Sequence, residues 1–309
     1  MDVSSWVAAA VALAAAVCFG WSTALMHHGA SGASPGSRGI ALLRHVFTQW
    51  KWLIGLAASL FGLALHTVAL GLGSLTLVQP IVVTGLFFSL VFRDALDRHW
   101  PSRRTLTWGA VTAAGLAVFL AATGSSNGTD LPDDRGAAVL IGLGLIGAAV
   151  AWNLAPRRPV RSGLLLGTAG GIVFGLMAGS LKATTGAWAH HELFTSWPLY
   201  AAVTIGLTGF LLNQHLYHRS RLADSIPMLN LVNPLVALVF GVVVFDERPR
   251  SNPLAVLLEC VGLAAVLLGI FFLGRGEGAA QEAPQVPAAR SYAGRSLTGS
   301  ESTPKTTDC

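Results

Sequence analysis

Charge is what this sequence has least of. Of 309 residues, 20 are Lys or Arg and 15 are Asp or Glu, together 11% of the chain. A soluble domain carries about 25%, so this chain cannot cover a water-facing surface of its own size. Cysteine is scarce too. Cys18 and Cys260 lie in apolar runs and Cys309 is the last residue, a placement that makes neither a disulfide framework nor a metal knuckle. Catalytic groupings are missing: there is no His-Glu-x-x-His run, no Ser-His-Asp grouping and no pair of carboxylates within an apolar segment. These absences exclude a soluble enzyme, a disordered chain and a disulfide-rich secreted domain. They leave an intramembrane enzyme without support and imply no cofactor. Lysine occurs three times against seventeen arginines, beside abundant Ala and Gly, which points to a GC-rich bacterial genome.

What is present is apolar. Hydrophobic residues make up 53% of the chain, and the mean hydropathy is +0.60. An all-α, polytopic integral membrane protein is expected, because a span needs about 20 apolar residues. Nine segments qualify: 6–26, 52–70, 75–92, 105–122, 136–154, 162–181, 197–217, 225–245 and 254–273. No charge occurs in the 41 positions between Lys51 and Arg93. That is too long for one span, and Gly71-Leu72-Gly73-Ser74 is the natural turn between two. The first apolar run follows an acidic residue, Asp2, and continues unbroken through Phe19, Gly20 and Trp21. It reads as a retained span, not a signal peptide.

Loop charge sets the expected orientation. One set of alternate loops holds 13 basic residues, from Arg38, Arg44 and Lys51 through to Arg275. The other holds four: Arg135, Lys182, Arg248 and Arg250. The N-terminus is therefore expected outside a plasma membrane and the C-terminus inside. Trp6, Trp188 and Trp197 then fall near the outer interface and Trp50, Trp52, Trp152 and Tyr217 near the inner one. Residues 274–309 are rich in Gly, Ala, Ser, Thr and Pro and read as a disordered cytoplasmic tail.

The two halves resemble each other. Ala8, Ala12, Ala16, Gly20 and Ala24 recur every four residues, as do Gly163, Gly167, Gly171, Gly175 and Gly179. Each pair differs by 155, and Phe19-Gly20 matches Phe174-Gly175. Leu77-Val78-Gln79-Pro80 lines up with Leu231-Val232-Asn233-Pro234 at 154. Ala114-Gly115-Leu116-Ala117 lines up with Val261-Gly262-Leu263-Ala264 at 147. Helices one to four (1–123) thus repeat as six to nine (161–273), with helix five in a linker (124–160). The copies are five crossings apart, so the second is upside down. Inverted repeats recur in secondary transporters, whose two halves rock around a central site.

The run 69–80 followed by an apolar helix resembles the NIPA-like branch of the drug/metabolite transporter superfamily. Asn233-Pro234 through Val244-Phe245-Asp246-Glu247 resembles the penultimate helix of its EamA-type members, which ends in an acidic residue. The likeness covers about residues 6–273. EamA-type chains have ten helices; nine spans with an external N-terminus agree better with the NIPA-like branch. The resemblance implies transport of a small metabolite, or of magnesium.

Pro80 and Pro234 are the sharpest pointers to a site. A proline within a helix frees the carbonyl four residues back, here those of Thr76 and Asn230. Gln79 and Asn233 precede the prolines. Each half then offers a free carbonyl and an amide at membrane depth, unless the prolines are plain kinks. Glu259 is the one acidic residue placed inside a span, where a carboxylate binds a cation or a coupling proton, or pairs with a buried base. His66 is a candidate proton relay or a helix-to-helix hydrogen bond. Lys182 is expected at the end of helix six, held by the helix dipole or gating an anionic substrate. Asn213, with Gln214 and His215, is a candidate vestibule lining. Ala16, Gly20, Gly171, Gly175 and Gly179 are expected to permit close helix packing. His27-His28 and His190-His191-Glu192 lie on opposite membrane faces and read as loop polarity, not a metal site.

The leading expectation is a secondary transporter of a small solute or cation. A divalent-cation permease is the alternative, which several carboxylates would favour; a non-transporting scaffold is the third. The bilayer and the substrate are the expected partners, a homodimer stays open, and nucleic acid is excluded.

Overall fold

The computed structural model describes residues 3–30, 49–123, 128–129, 131–155, 159–219, 222–248 and 252–282; at 27–30, 159–161, 213–219, 222–224 and 276–282 it describes the backbone alone. Among these residues there are ten helices and no strand. They are α1 (Val3–Ala30), α2 (Trp50–Leu72), α3 (Leu75–Val82), α4 (Gly85–Leu96), α5 (Arg103–Ala122), α6 (Asp134–Leu154), α7 (Pro159–Ala189), α8 (Trp197–Arg219), α9 (Leu222–Phe245) and α10 (Pro253–Glu282). Helices suit this composition because hydrocarbon offers no water to satisfy a free backbone group. Eight segments, with α3 and α4 counted as one, are long and apolar enough to cross a bilayer. Within α8, Trp197–Leu212 is a shorter apolar stretch. The chain is a polytopic helical membrane protein.

Polar residues at the helix starts hold the ends. Ser74 accepts from the Leu77 N–H at 3.2 Å, Ser102 from Thr105 at 3.1 Å and Asp133 from Gly136 at 3.0 Å, each satisfying an amide that no helical carbonyl reaches.

Three expected segments differ in extent. The segment expected as one span at 75–92 is two helices, α3 and α4, joined at Val83 and Thr84. The Thr84 N–H and hydroxyl both turn back to the Ile81 carbonyl, at 3.1 and 2.6 Å. Pro80, inside α3, has no N–H to give Thr76. Helix α7 runs to Ala189, a 31-residue helix of about 46 Å, longer than the hydrocarbon core. Lys182 therefore sits seven residues before its end, too deep for the helix-dipole role expected of it, since that effect fades within the last turn. Helix α10 likewise continues to Glu282, and the tail beyond it lies outside the described residues.

The small-residue stripes pack as expected. A Cβ on Gly20 would lie 2.6 Å from Phe88 Cβ and 2.9 Å from the Gly85 carbonyl oxygen, both in α4. One on Gly171 would lie 2.7 Å from Val232 Cβ, and one on Gly175 2.6 Å from Val236 Cβ, both in α9. So α1 rests on α4, and α7 on α9, at separations that only glycine permits.

These contacts follow a different register from one sequence match. With α1 set on α7 at 155, Gly20 against Phe88 Cβ and the Gly85 carbonyl corresponds to Gly175 against Val236 Cβ and the Asn233 carbonyl. That sets α4 on α9 at an offset of 148. Pro80 then falls opposite Met228, and Pro234 lies six residues further along α9, a helix that continues through Pro227 and Pro234. The likeness of Leu-Val-Gln-Pro to Leu-Val-Asn-Pro is nearly two turns out of register with this packing. Gly115 and Gly262, matched at 147, touch each other: a Cβ on either would come within 2.8 Å of the other's carbonyl oxygen. Around them α5 and α10 run antiparallel, and Trp108 stacks on Phe272 with centroids 4.1 Å apart.

Candidate functional site

Polar side chains inside the spans are few, and most are spent on their own helix. Thr23, Thr67, Thr112 and Thr123 donate to the carbonyl four residues back at 2.8 Å each. The Asn230 amide does the same to Ile226, at 3.0 Å. What remains marks the site.

The strongest cluster lies where α2 and α9 finish and α3 begins, beside Lys182 of α7. Glu247 lies just past α9 and is fully buried. The helix ends at Phe245, and Asp246 takes a left-handed φ of 52°, which turns the chain back towards the bundle. The Glu247 carboxylate accepts from the Leu75 N–H at 2.7 Å and the Thr76 N–H at 2.9 Å. These are the first amides of α3, where the helix dipole favours an anion. Lys182 Nζ lies 3.0 Å from Glu247 Oε1. The same ammonium donates to the Gly73 carbonyl at 2.8 Å and faces the Phe245 ring at 5.2 Å.

The surroundings are shaped to hold this group. A Cβ on Gly241 would collide with Glu247 Oε2, so only glycine leaves room there. A Cβ on Gly128 would come 3.0 Å from Glu247 Cγ. The last α9 carbonyls, of Val244 and Phe245, accept from the Asp133 and Thr129 amides at 2.9 and 2.8 Å. The α5–α6 connection thereby covers the end of α9. Gly73 is pressed on α1, where its Cβ would lie 2.7 Å from that of Ala8.

One turn further along α3 lies a second polar group. Gln79 stands four residues beyond Leu75, on the same helix face and about 6 Å along the axis. Its Nε2 lies 3.5 Å from His66 Nε2 of α2, and both residues are buried. Phe19 of α1 meets His66 edge-on at 6.2 Å.

The structure thus brings Thr76 and Lys182 to the same carboxylate, Glu247, and His66 to Gln79. Pro80 is buried in α3. Asn233 and Pro234 lie on α9 at its contact with Gly171 and Gly175, and Asn233 Oδ1 is buried with no hydrogen-bond partner among the described residues. Glu259 is buried in α10. The Asn213 side chain, like those of Gln214 and His215, lies outside the described residues. Glu247 is the residue that the span arithmetic missed, because it stands beyond the last apolar position of its helix. The available signals were Lys182, an ammonium bordering an apolar span that needs a carboxylate to meet it, and the acidic pair Asp246-Glu247 just past span eight.

The chain is similar to an uncharacterized protein, Cgl0250/cg0304, of Corynebacterium glutamicum. The two are 29% identical over 255 residues, which is 79% of this chain and 86% of the relative. No family model matches the chain, and no solved structure does.

Proposed function

We propose that this protein is a secondary transporter that moves a small solute or cation by alternating access between two inverted four-helix halves. The observation that carries the reading is the antiparallel meeting of α5 and α10 at the matched glycines Gly115 and Gly262. Each rests on the other's backbone, the mark of a two-fold relation. The stripe contacts of α1 on α4 are matched by those of α7 on α9 at an offset of 148, which supports nine crossings arranged four, one, four. Inverted halves give a transporter two equivalent ways to open; a scaffold gains nothing from them. In this reading the pathway runs along α3, past His66, Gln79 and Pro80, with Asn233, Pro234 and Glu259 from the second half. The membrane is the plasma membrane, with the N-terminus outside.

The test is flux into vesicles holding the purified protein, across amino acids, organic cations and Mg²⁺. Uptake of organic solutes without Mg²⁺ supports the reading and removes the magnesium permease implied by the family resemblance. Mg²⁺ uptake alone replaces it with that permease. Folded protein that moves nothing sinks both.

A further inference from the structure

We propose that Lys182 and Glu247 are the latch of a gate, and that α3 is the leaf it holds shut. The inference rests on the transporter reading for its purpose, but its geometry stands alone. Four polar contacts of 3.0 Å or less converge on two side chains of the second half: Glu247 with the Leu75 and Thr76 amides, and Lys182 with Glu247 and the Gly73 carbonyl. Three of their partners, Gly73, Leu75 and Thr76, belong to the first half. Both groups of one α2–α3 turn are thus clasped, its carbonyl by an ammonium and its amides by a carboxylate.

The leaf is built to move. Helix α3 has eight residues, and beyond it Val83 and Thr84 interrupt the helical ladder before α4 begins. Pro80 removes a further ladder bond just before that break. A short rigid piece is therefore hinged at one end and latched at the other. Behind the latch, one turn along, lie His66 and Gln79. Closing the latch covers the polar group that a solute would meet, and releasing it gives that group a route to one face of the membrane.

The chemistry of the latch is directional. A carboxylate accepts from helix amides and an ammonium cannot. Exchanging the two charges keeps an ion pair but places a donor against two donors. A simple electrostatic staple would tolerate the exchange; this latch would not.

The experiment uses the full chain in oriented vesicles, with Cys18, Cys260 and Cys309 replaced by Ser and Leu75→Cys as reporter. Leu75 is fully buried in the closed form. A membrane-impermeant maleimide should label it slowly. Adding Glu247→Gln or Lys182→Met should raise the rate about tenfold or more, the loss of one charge-assisted contact, and from one side of the membrane only. The double exchange Lys182→Glu with Glu247→Lys should label as fast as the single variants. Gly241→Ala, whose new methyl displaces the carboxylate, should also raise the rate and serves if the charge variants do not fold. Unchanged slow labelling in folded single variants or in Gly241→Ala overturns the latch. Slow labelling restored by the charge exchange overturns the carboxylate-on-helix assignment. Faster labelling with no flux of any solute leaves the latch and sinks the transporter. Flux without any change in labelling does the reverse.

Discussion

Gly175→Ala and Gly142→Ala add the same methyl group to two helices, and the structure separates their outcomes. At Gly175 the new carbon would lie 2.6 Å from Val236 Cβ, 2.8 Å from Val236 Cγ1 and 2.7 Å from the Asn233 carbonyl oxygen. Carbon atoms rest at about 3.5–4.0 Å, so the shortfall is roughly 1 Å. None of these atoms is the far end of a flexible chain, so relief requires α7 and α9 to part. Parting them loosens Gly167, Gly171 and Gly179 too, which press on the same helix. At Gly142, in α6, nothing lies within 4 Å of the added carbon.

Both changes gain about 1 kcal/mol of helix propensity, and that gain cancels in their difference. What remains is overpacking, roughly 1–3 kcal/mol. The assay is thermal unfolding of the two variants and the parent in one detergent. Gly142→Ala should melt at or above the parent, and Gly175→Ala clearly below Gly142→Ala. If Gly175→Ala melts as high as Gly142→Ala, the α7–α9 interface is not the tight contact described, and the packing argument for two matched halves fails with it.

Glu247→Ala should cost about 3–5 kcal/mol of stability, the penalty for stranding a buried charge, because the side chain of Lys182 is only 13% exposed. Arg248→Ala, which breaks the exposed pair with Asp246, should cost under about 1 kcal/mol in the same unfolding measurement; equal costs would refute the burial contrast. Pro80→Ala restores a donor for the Thr76 carbonyl and stiffens α3, so it should lower flux while raising the unfolding temperature.

The spans were legible because their signal is long and local. About 20 apolar residues between charged loops leave little choice, and the boundaries fell within a few residues except where a helix outran the bilayer, as α7 and α10 do. The glycine stripes were legible for the same reason, since a four-residue period fixes one helix face. The break at Val83 and Thr84 was not, because neither residue is a breaker and Pro80 precedes the break by a turn. The register of α4 against α9 was not legible either. Four letters nearly agreed, while the contacts that decide register lie between helices and leave no mark within either one. Glu247 was hidden by position. A span count stops at the last apolar residue, yet the turn at Asp246 returns the next side chain to the interior.

That carboxylate changes what the low charge means. On the spans alone, Glu259 is the one acidic residue placed at membrane depth, and the two proline motifs offer carbonyls and amides. With Glu247 buried and Lys182 largely so, paired at 3.0 Å, the interior holds charge as well as amides. A buried ion pair is a poor way to add stability, because apolar residues of similar size often serve as well or better. Its advantage lies elsewhere. Two apolar side chains that part must expose their surface to water at a cost, whereas a carboxylate and an ammonium regain hydration as they separate, offsetting much of the lost attraction. A contact that is firm when dry and cheap to open when wet suits a surface that must open and close repeatedly. The pair sits where the shortest of the described helices meets the opposite half, a place where static packing alone would have favoured leucine.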